Sequence, residues 1–146
     1  MVERKRQQKL KLDNMAIKSK KISKKKKEIQ PVKEVRISIN SSFNNTIVSG
    51  SEYHTGNLLV WASSGSVGFK GTKKGTPYAA TTAMKDMLDK LMQYKPETAY
   101  IFVSGAGNGR DAALRAMSGS GIKVAMIKDV TPLPHNGCRP KKARRV

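Results

Sequence analysis

His135 and Cys138 are the residues whose types first invite chemistry. Their H-x-x-C spacing supplies at most two ligands of a zinc site, and the other histidine, His54, falls in a distant turn. Cysteine catalysis needs a base held by a third group in a pocket, and no such group is marked near Cys138. The acids of the body (Glu34, Glu52, Asp86, Asp89, Glu97, Asp111 and Asp129) are scattered, so the clustered carboxylates of a metal-dependent nuclease do not assemble. The reading is therefore no catalytic residue, no metal, no cofactor and no small-molecule substrate, and the chain is not an enzyme.

Two glycine-rich stretches point to anions instead. GFKGTKKGT (Gly68–Thr76) sets Lys70, Lys73 and Lys74 among three glycines. Glycine lets backbone approach a ligand closely, and lysine neutralises phosphate. The G-x-x-x-x-G-K-[ST] spacing of a nucleotide phosphate loop is absent. Phe69 reads equally as a plug under the loop or as a surface on which a base stacks. GAGNGR (Gly105–Arg110) is G-x-G-x-G, not a dinucleotide fingerprint, and no acid follows at ribose distance. It reads either as an anion-binding turn with Arg110 beside it or as a tight structural turn.

The segment DVTPLPHNGCRPKKARRV (Asp129–Val146) has three prolines, which neither a helix nor a central strand accommodates. Its last eight residues carry Arg139, Lys141, Lys142, Arg144 and Arg145 with no side-chain acid. Pro134 and Asn136-Gly137 form a turn that orients these cations. Asn136-Gly137 is also a candidate for succinimide formation.

The elements that position these segments follow from composition and periodicity. The 146 residues carry a formal charge of +19. This exceeds the roughly 2–8 that keeps a small domain soluble, and a polyanionic partner accounts for it. Residues 1–30 hold 12 cations and 3 acids, including six lysines within Lys20–Lys27. Their mutual repulsion predicts a basic, disordered amino-terminal extension until a partner binds. The body, 31–128, is long enough for one α/β domain, and 129–146 is an extended basic tail. The lone cysteine excludes an internal disulfide and fits a reducing compartment. No apolar run is long enough to span a membrane, and the amino end lacks the apolar stretch of a secretory signal. A transit peptide is disfavoured by Glu3, Asp13 and Glu28 and by lysine in place of arginine.

Val35, Ile37 and Ile39 alternate with polar residues, which predicts a half-buried strand. Thr46–Tyr53 is a second strand, turning at 54–57 into a third, Leu58–Ala62. The continuous apolar run of the third predicts a central strand covered on both faces. Thr76-Pro77 starts a helix with Ala80, Ala83, Met84, Met87, Leu88 and Leu91 on one face, ending near Tyr94 before Pro96. Ala99–Val103 is a strand, Arg110–Ser118 a helix and Ile122–Ile127 the last strand. Arg115, Lys123 and Lys128 read as solvated charges. The order is β-β-β-α-β-α-β. The helix-linked third, fourth and fifth strands are parallel with right-handed crossovers, and the second strand reverses at the hairpin so that the first runs with the third; four strands then share a carboxyl edge. The loop NSSFNN (Asn40–Asn45), both glycine-rich segments and the tail all leave from that edge, where open α/β sheets bind ligands.

SFNNTIV (Ser42–Val48), GFKGTKKGTPYAA (Gly68–Ala80), GRDAALRA (Gly109–Ala116) and DVTPLPHNGCRP (Asp129–Pro140) together resemble the S-eleven family of small-subunit ribosomal proteins. The resemblance covers about residues 32–146, and PHNGCRP resembles the bacterial and organellar branch. The family's usual G-P-G-x-G-R turn reads here with Ala106 and Asn108 at the intervening positions. The resemblance implies a ribonuclease H-like three-layer α/β/α fold with a five-stranded mixed sheet and no nuclease activity. It implies a structural role on the platform of the small subunit, near the messenger exit path and neighbouring platform ribosomal proteins. It implies small-subunit ribosomal RNA as partner, contacted by Asn44, Asn45, Lys70, Lys73, Lys74, Arg110, His135, Asn136, Arg139, Lys141, Lys142, Arg144 and Arg145. The location implied is the cytoplasmic ribosome of a bacterium, or the ribosome of a plastid or mitochondrion. Metal-dependent RNA cleavage would favour a nuclease instead, and binding to any polyanion a basic chaperone.

Overall fold

The computed structural model describes residues 30–139, 141 and 142. The expected disordered extension, apart from Gln30, lies outside the described residues, as do Pro140, Arg144 and Arg145. The elements are β1 (Glu34–Ser41), β2 (Thr46–Glu52), β3 (Leu58–Ser63), α1 (Pro77–Leu91), β4 (Thr98–Ser104), α2 (Gly109–Met117) and β5 (Lys123–Asp129). They form a mixed five-stranded sheet in the order β3-β2-β1-β4-β5. The α/β class and element order match the sequence reading.

β1 is the axis. It pairs antiparallel with β2 (Ile37 opposite Gly50) and parallel with β4 (Ile37 opposite Ile101). Its alternation decides the core: Val35, Ile37, Ile39 and Ser41 are buried, whereas Arg36 and Asn40 are exposed. β4 repeats the pattern with Ala99, Ile101 and Val103 buried. Both helices close over this one face. α1 begins as expected, with the Ala79 N–H donating to Thr76 Oγ1 at 3.3 Å and Pro77 in the first turn. It buries Ala80, Ala83, Met84, Met87, Leu88 and Leu91. A 3-10 turn, Met92–Tyr94, completes it, and Lys95 at φ 52 turns the chain into the left-handed region. α2 buries Ala113 and Met117 in the same cluster.

Two expectations change. The apolar run of β3 predicted a central strand covered on both faces, but β3 is an edge strand, and Leu58 and Trp61 are 60% and 55% exposed. The short hairpin commits β3 to the free side of β2, while β4 and β5 add on the other side of β1. Ala62 is buried and Val60 half-buried, so the run is apolar because one face packs. The second change is layering. The resemblance implied three layers, whereas the described residues build two. The connections β3-α1-β4 and β4-α2-β5 step in the same direction across the sheet, so right-handed crossovers place both helices on one face. Among the described residues the other face carries no helix. There Arg36 lies 4.3 Å above the Phe102 ring, and Tyr53 stacks on Tyr100 at 4.1 Å. No described helix is long and apolar enough to cross a membrane.

Candidate nucleic-acid interface

The carboxyl ends of β1, β3, β4 and β5 meet at one edge, and the loops leaving them are knitted together. The Ser42 N–H and hydroxyl donate to the Asn45 carbonyl at 2.9 and 3.1 Å, tightening the turn after β1. This turn is the floor on which the neighbours rest. The Gly107 N–H donates to the Ser41 carbonyl at 2.9 Å, and the Ser64 N–H to the Thr46 carbonyl at 3.0 Å. Ser41 and Thr46 hydroxyls, both buried, pair at 3.1 Å.

Glycine is needed here for close approach. A Cβ on Gly105 would lie 2.2 Å from the Ser41 carbonyl oxygen, and one on Gly107 2.4 Å from that of Ser42. At Gly75 the Phe43 carbonyl oxygen would stand at 2.3 Å. The glycines of GAGNGR therefore act first as structural spacers, the reading their spacing left open. Ala106 and Asn108 point away from this packing and are exposed.

The cations fall into two groups. Lys70 and Lys73 are exposed and Lys74 half-buried around the 3-10 turn Gly71–Gly75, and no described carboxylate forms a salt bridge with them. Arg110 differs. Read from the sequence as a cation beside an anion-binding turn and a candidate RNA contact, it is held in an ion pair, its guanidinium 2.6 Å from Asp129 Oδ2. That bond, with donation from the Thr131 hydroxyl and N–H, holds the Asp129 carboxyl well below the usual carboxylate range. The pair is intact at neutral pH. Asn44 is exposed, and Asn45 buries its Oδ1 with no hydrogen-bond partner among the described residues.

Beyond β5 the Val130 N–H still donates to the Val103 carbonyl at 2.8 Å, so sheet contact runs just past the expected boundary at 128. From there His135, Asn136, Arg139, Lys141 and Lys142 are all exposed. Asn136 takes φ 55, the left-handed conformation expected of an Asn-Gly turn. Attack of the Gly137 nitrogen on the Asn136 side-chain carbonyl, with loss of ammonia, gives the succinimide. Protein aged at mildly alkaline pH is expected to yield isoaspartate at this position by peptide mapping. Recovery of intact asparagine alone would remove the site from consideration.

Phe69 is half-buried and meets Tyr78 edge-to-face at 5.8 Å. The open aromatics of this edge are Phe43 and Tyr78, 76% and 72% exposed. Tyr78 escaped the sequence reading because it sits in the first turn of an amphipathic helix, where an aromatic reads as core. Thr131 and Asp129 escaped it too, being 21 and 19 residues from Arg110. His54 lies at the opposite end of the sheet, 3.2 Å from Glu34. Among the described residues no three His, Cys, Asp or Glu side chains gather to hold a metal.

A model of the family described as ribosomal protein S11 matches residues 35–145. The chain is 48% identical to small ribosomal subunit protein uS11 of Aquifex aeolicus over 123 residues, 84% of this chain and 98% of the relative. It is 52% identical to the proteins of the same name from Caldicellulosiruptor saccharolyticus and Caldicellulosiruptor bescii over 108 residues, 74% of this chain and 82% of each relative. The four matched motifs are the segments that build the knitted edge and its exits, and the chain belongs to the ribosomal protein S11 family, a family of structural components of the small ribosomal subunit.

Proposed function

We propose that the chain binds small-subunit ribosomal RNA on the platform of the subunit, near the messenger exit path and beside neighbouring platform proteins, and so supports translation. The observation that carries this reading is the convergence of four exits at one sheet edge. Lys70, Lys73 and Lys74 stand there without carboxylate partners among the described residues. The tail leaves from the same edge with Arg139, Lys141 and Lys142 exposed. Asn44, Asn45, His135 and Asn136 supply donors and acceptors to sugar and base edges, and Arg144 and Arg145 extend the cationic run. The contacts are mostly to phosphate, which gives affinity and orientation without reading sequence. The setting is the ribosome of a bacterium, or that of a plastid or mitochondrion.

Density-gradient sedimentation with intact small subunits tests the reading. The tagged protein is expected to travel with the subunit peak. Its binding to free small-subunit ribosomal RNA should fall by roughly 0.7–0.9 log units per phosphate contact for each tenfold rise in salt. Equal retention by unrelated polyanions, with no incorporation into subunits, would instead indicate a general basic chaperone.

A further inference from the structure

Arg110 is the one cation of the candidate RNA residues, among those described, that the fold already neutralises. Its guanidinium also donates to the Gly105 carbonyl at 3.2 Å and lies 3.4 Å from Thr131 Oγ1. Thr131 closes the ring. Its hydroxyl donates to Asp129 Oδ1 at 2.6 Å and accepts the Gly105 N–H at 3.2 Å, while its own N–H donates to Asp129 Oδ1 at 2.9 Å. These bonds join the end of β5, the glycine turn after β4 and the first turn of α2. Thr131 is half-buried, whereas every described residue beyond it is exposed, so the ring holds the chain where the tail departs.

We propose that Arg110 is a positioning residue: with Asp129 and Thr131 it clasps the root of the basic tail to the glycine turn and sets the direction in which the tail cations leave the sheet edge. The clasp rests on the RNA-binding reading for its purpose, though not for its geometry. It explains an acid at the root of a tail built for phosphate. An unpaired Asp129 would repel RNA, whereas a paired one serves as an anchor. It also explains the choice of arginine, whose planar fork reaches the carboxylate and the Gly105 carbonyl together, as an ammonium does not.

Asp129→Asn separates the alternatives by sign. It removes an acid and frees Arg110, so if Arg110 served as a phosphate contact, RNA binding should tighten. With the clasp, binding of the full chain to small-subunit ribosomal RNA should weaken roughly 5- to 20-fold, because an oriented tail loses its preorganisation. Arg110→Ala should weaken it similarly, Arg110→Lys less, and exchanging the two charges (Arg110→Asp with Asp129→Arg) should recover most of the loss. Amide exchange at Thr131 should quicken in both single variants while β1 amides stay protected. Unchanged or tighter binding by Asp129→Asn overturns the proposal, as does unchanged exchange at Thr131. Absence of salt-sensitive binding by the wild type would sink the RNA reading instead, and the Thr131 exchange would still report on the clasp.

Discussion

Deleting residues 139–146 is expected to weaken binding to small-subunit ribosomal RNA by roughly 100- to 1000-fold near physiological salt and to lower the salt slope by about 3. The deletion removes five cations, Arg139, Lys141, Lys142, Arg144 and Arg145. Each that neutralises a phosphate releases counterions, so the loss grows as salt is lowered. If three or four of the five make such contacts, the stated range follows. The fold should not notice the deletion, because the described residues from Pro132 onward are exposed and belong to no helix or strand. A full chain with the five cations changed to glutamine should behave like the deletion. Loss of affinity with an unchanged slope would mean that the tail binds by shape, and an unchanged affinity would remove it from the interface.

Gly105→Ala is expected to destabilise the domain by roughly 3 kcal/mol or more, one of the larger effects open to a single methyl group. Two costs coincide. The residue sits at φ 92, which side chains rarely adopt, and the new Cβ would stand 2.2 Å from the Ser41 carbonyl oxygen. The obstacle is backbone of the central strand, so it cannot rotate away as a flexible side chain could. Native domains hold only about 5–15 kcal/mol, so the loss should appear as a clear drop in the urea midpoint. Gly119→Ala is the matched control. Nothing lies within 4 Å of its Cβ position, and a shift within about 0.5 kcal/mol is expected. Equal midpoints for the two variants would show that the close approach of the glycine turn to β1 is relaxed in solution.

Local patterns were legible because their causes are local. The alternation of Val35, Ile37 and Ile39 marked β1, and Thr76-Pro77 marked the start of α1 within one residue. The parallel run of β1, β3, β4 and β5 then sent four exits to one edge, which the Ser41–Gly107, Gly105–Thr131 and Ser64–Thr46 hydrogen bonds knit together. Leu58–Ser63 shows where local pattern stops informing. An apolar run records that a strand packs somewhere, not whether a neighbour pairs on its far side. The exposure of Trp61 follows from strand order, a property of the whole chain.

The basic ends tell the same lesson from the side of charge. That this chain carries +19, concentrated at its ends, is a matter of composition, and long-range electrostatics acts on it without a fold. Which cations are free is not. Arg110 looked like Lys70 or Lys73 in the sequence, a cation beside glycines. Only the fold brings Asp129 to within 2.6 Å of it, because hydrogen bonds and ion pairs act over a few ångströms and those partners are 19 residues apart. By itself the sequence determined the order of elements, the glycines and the supply of positive charge. The tertiary structure decided which face is covered, why Gly105 and Gly107 must be glycine, and which charge anchors the tail rather than reaching outward.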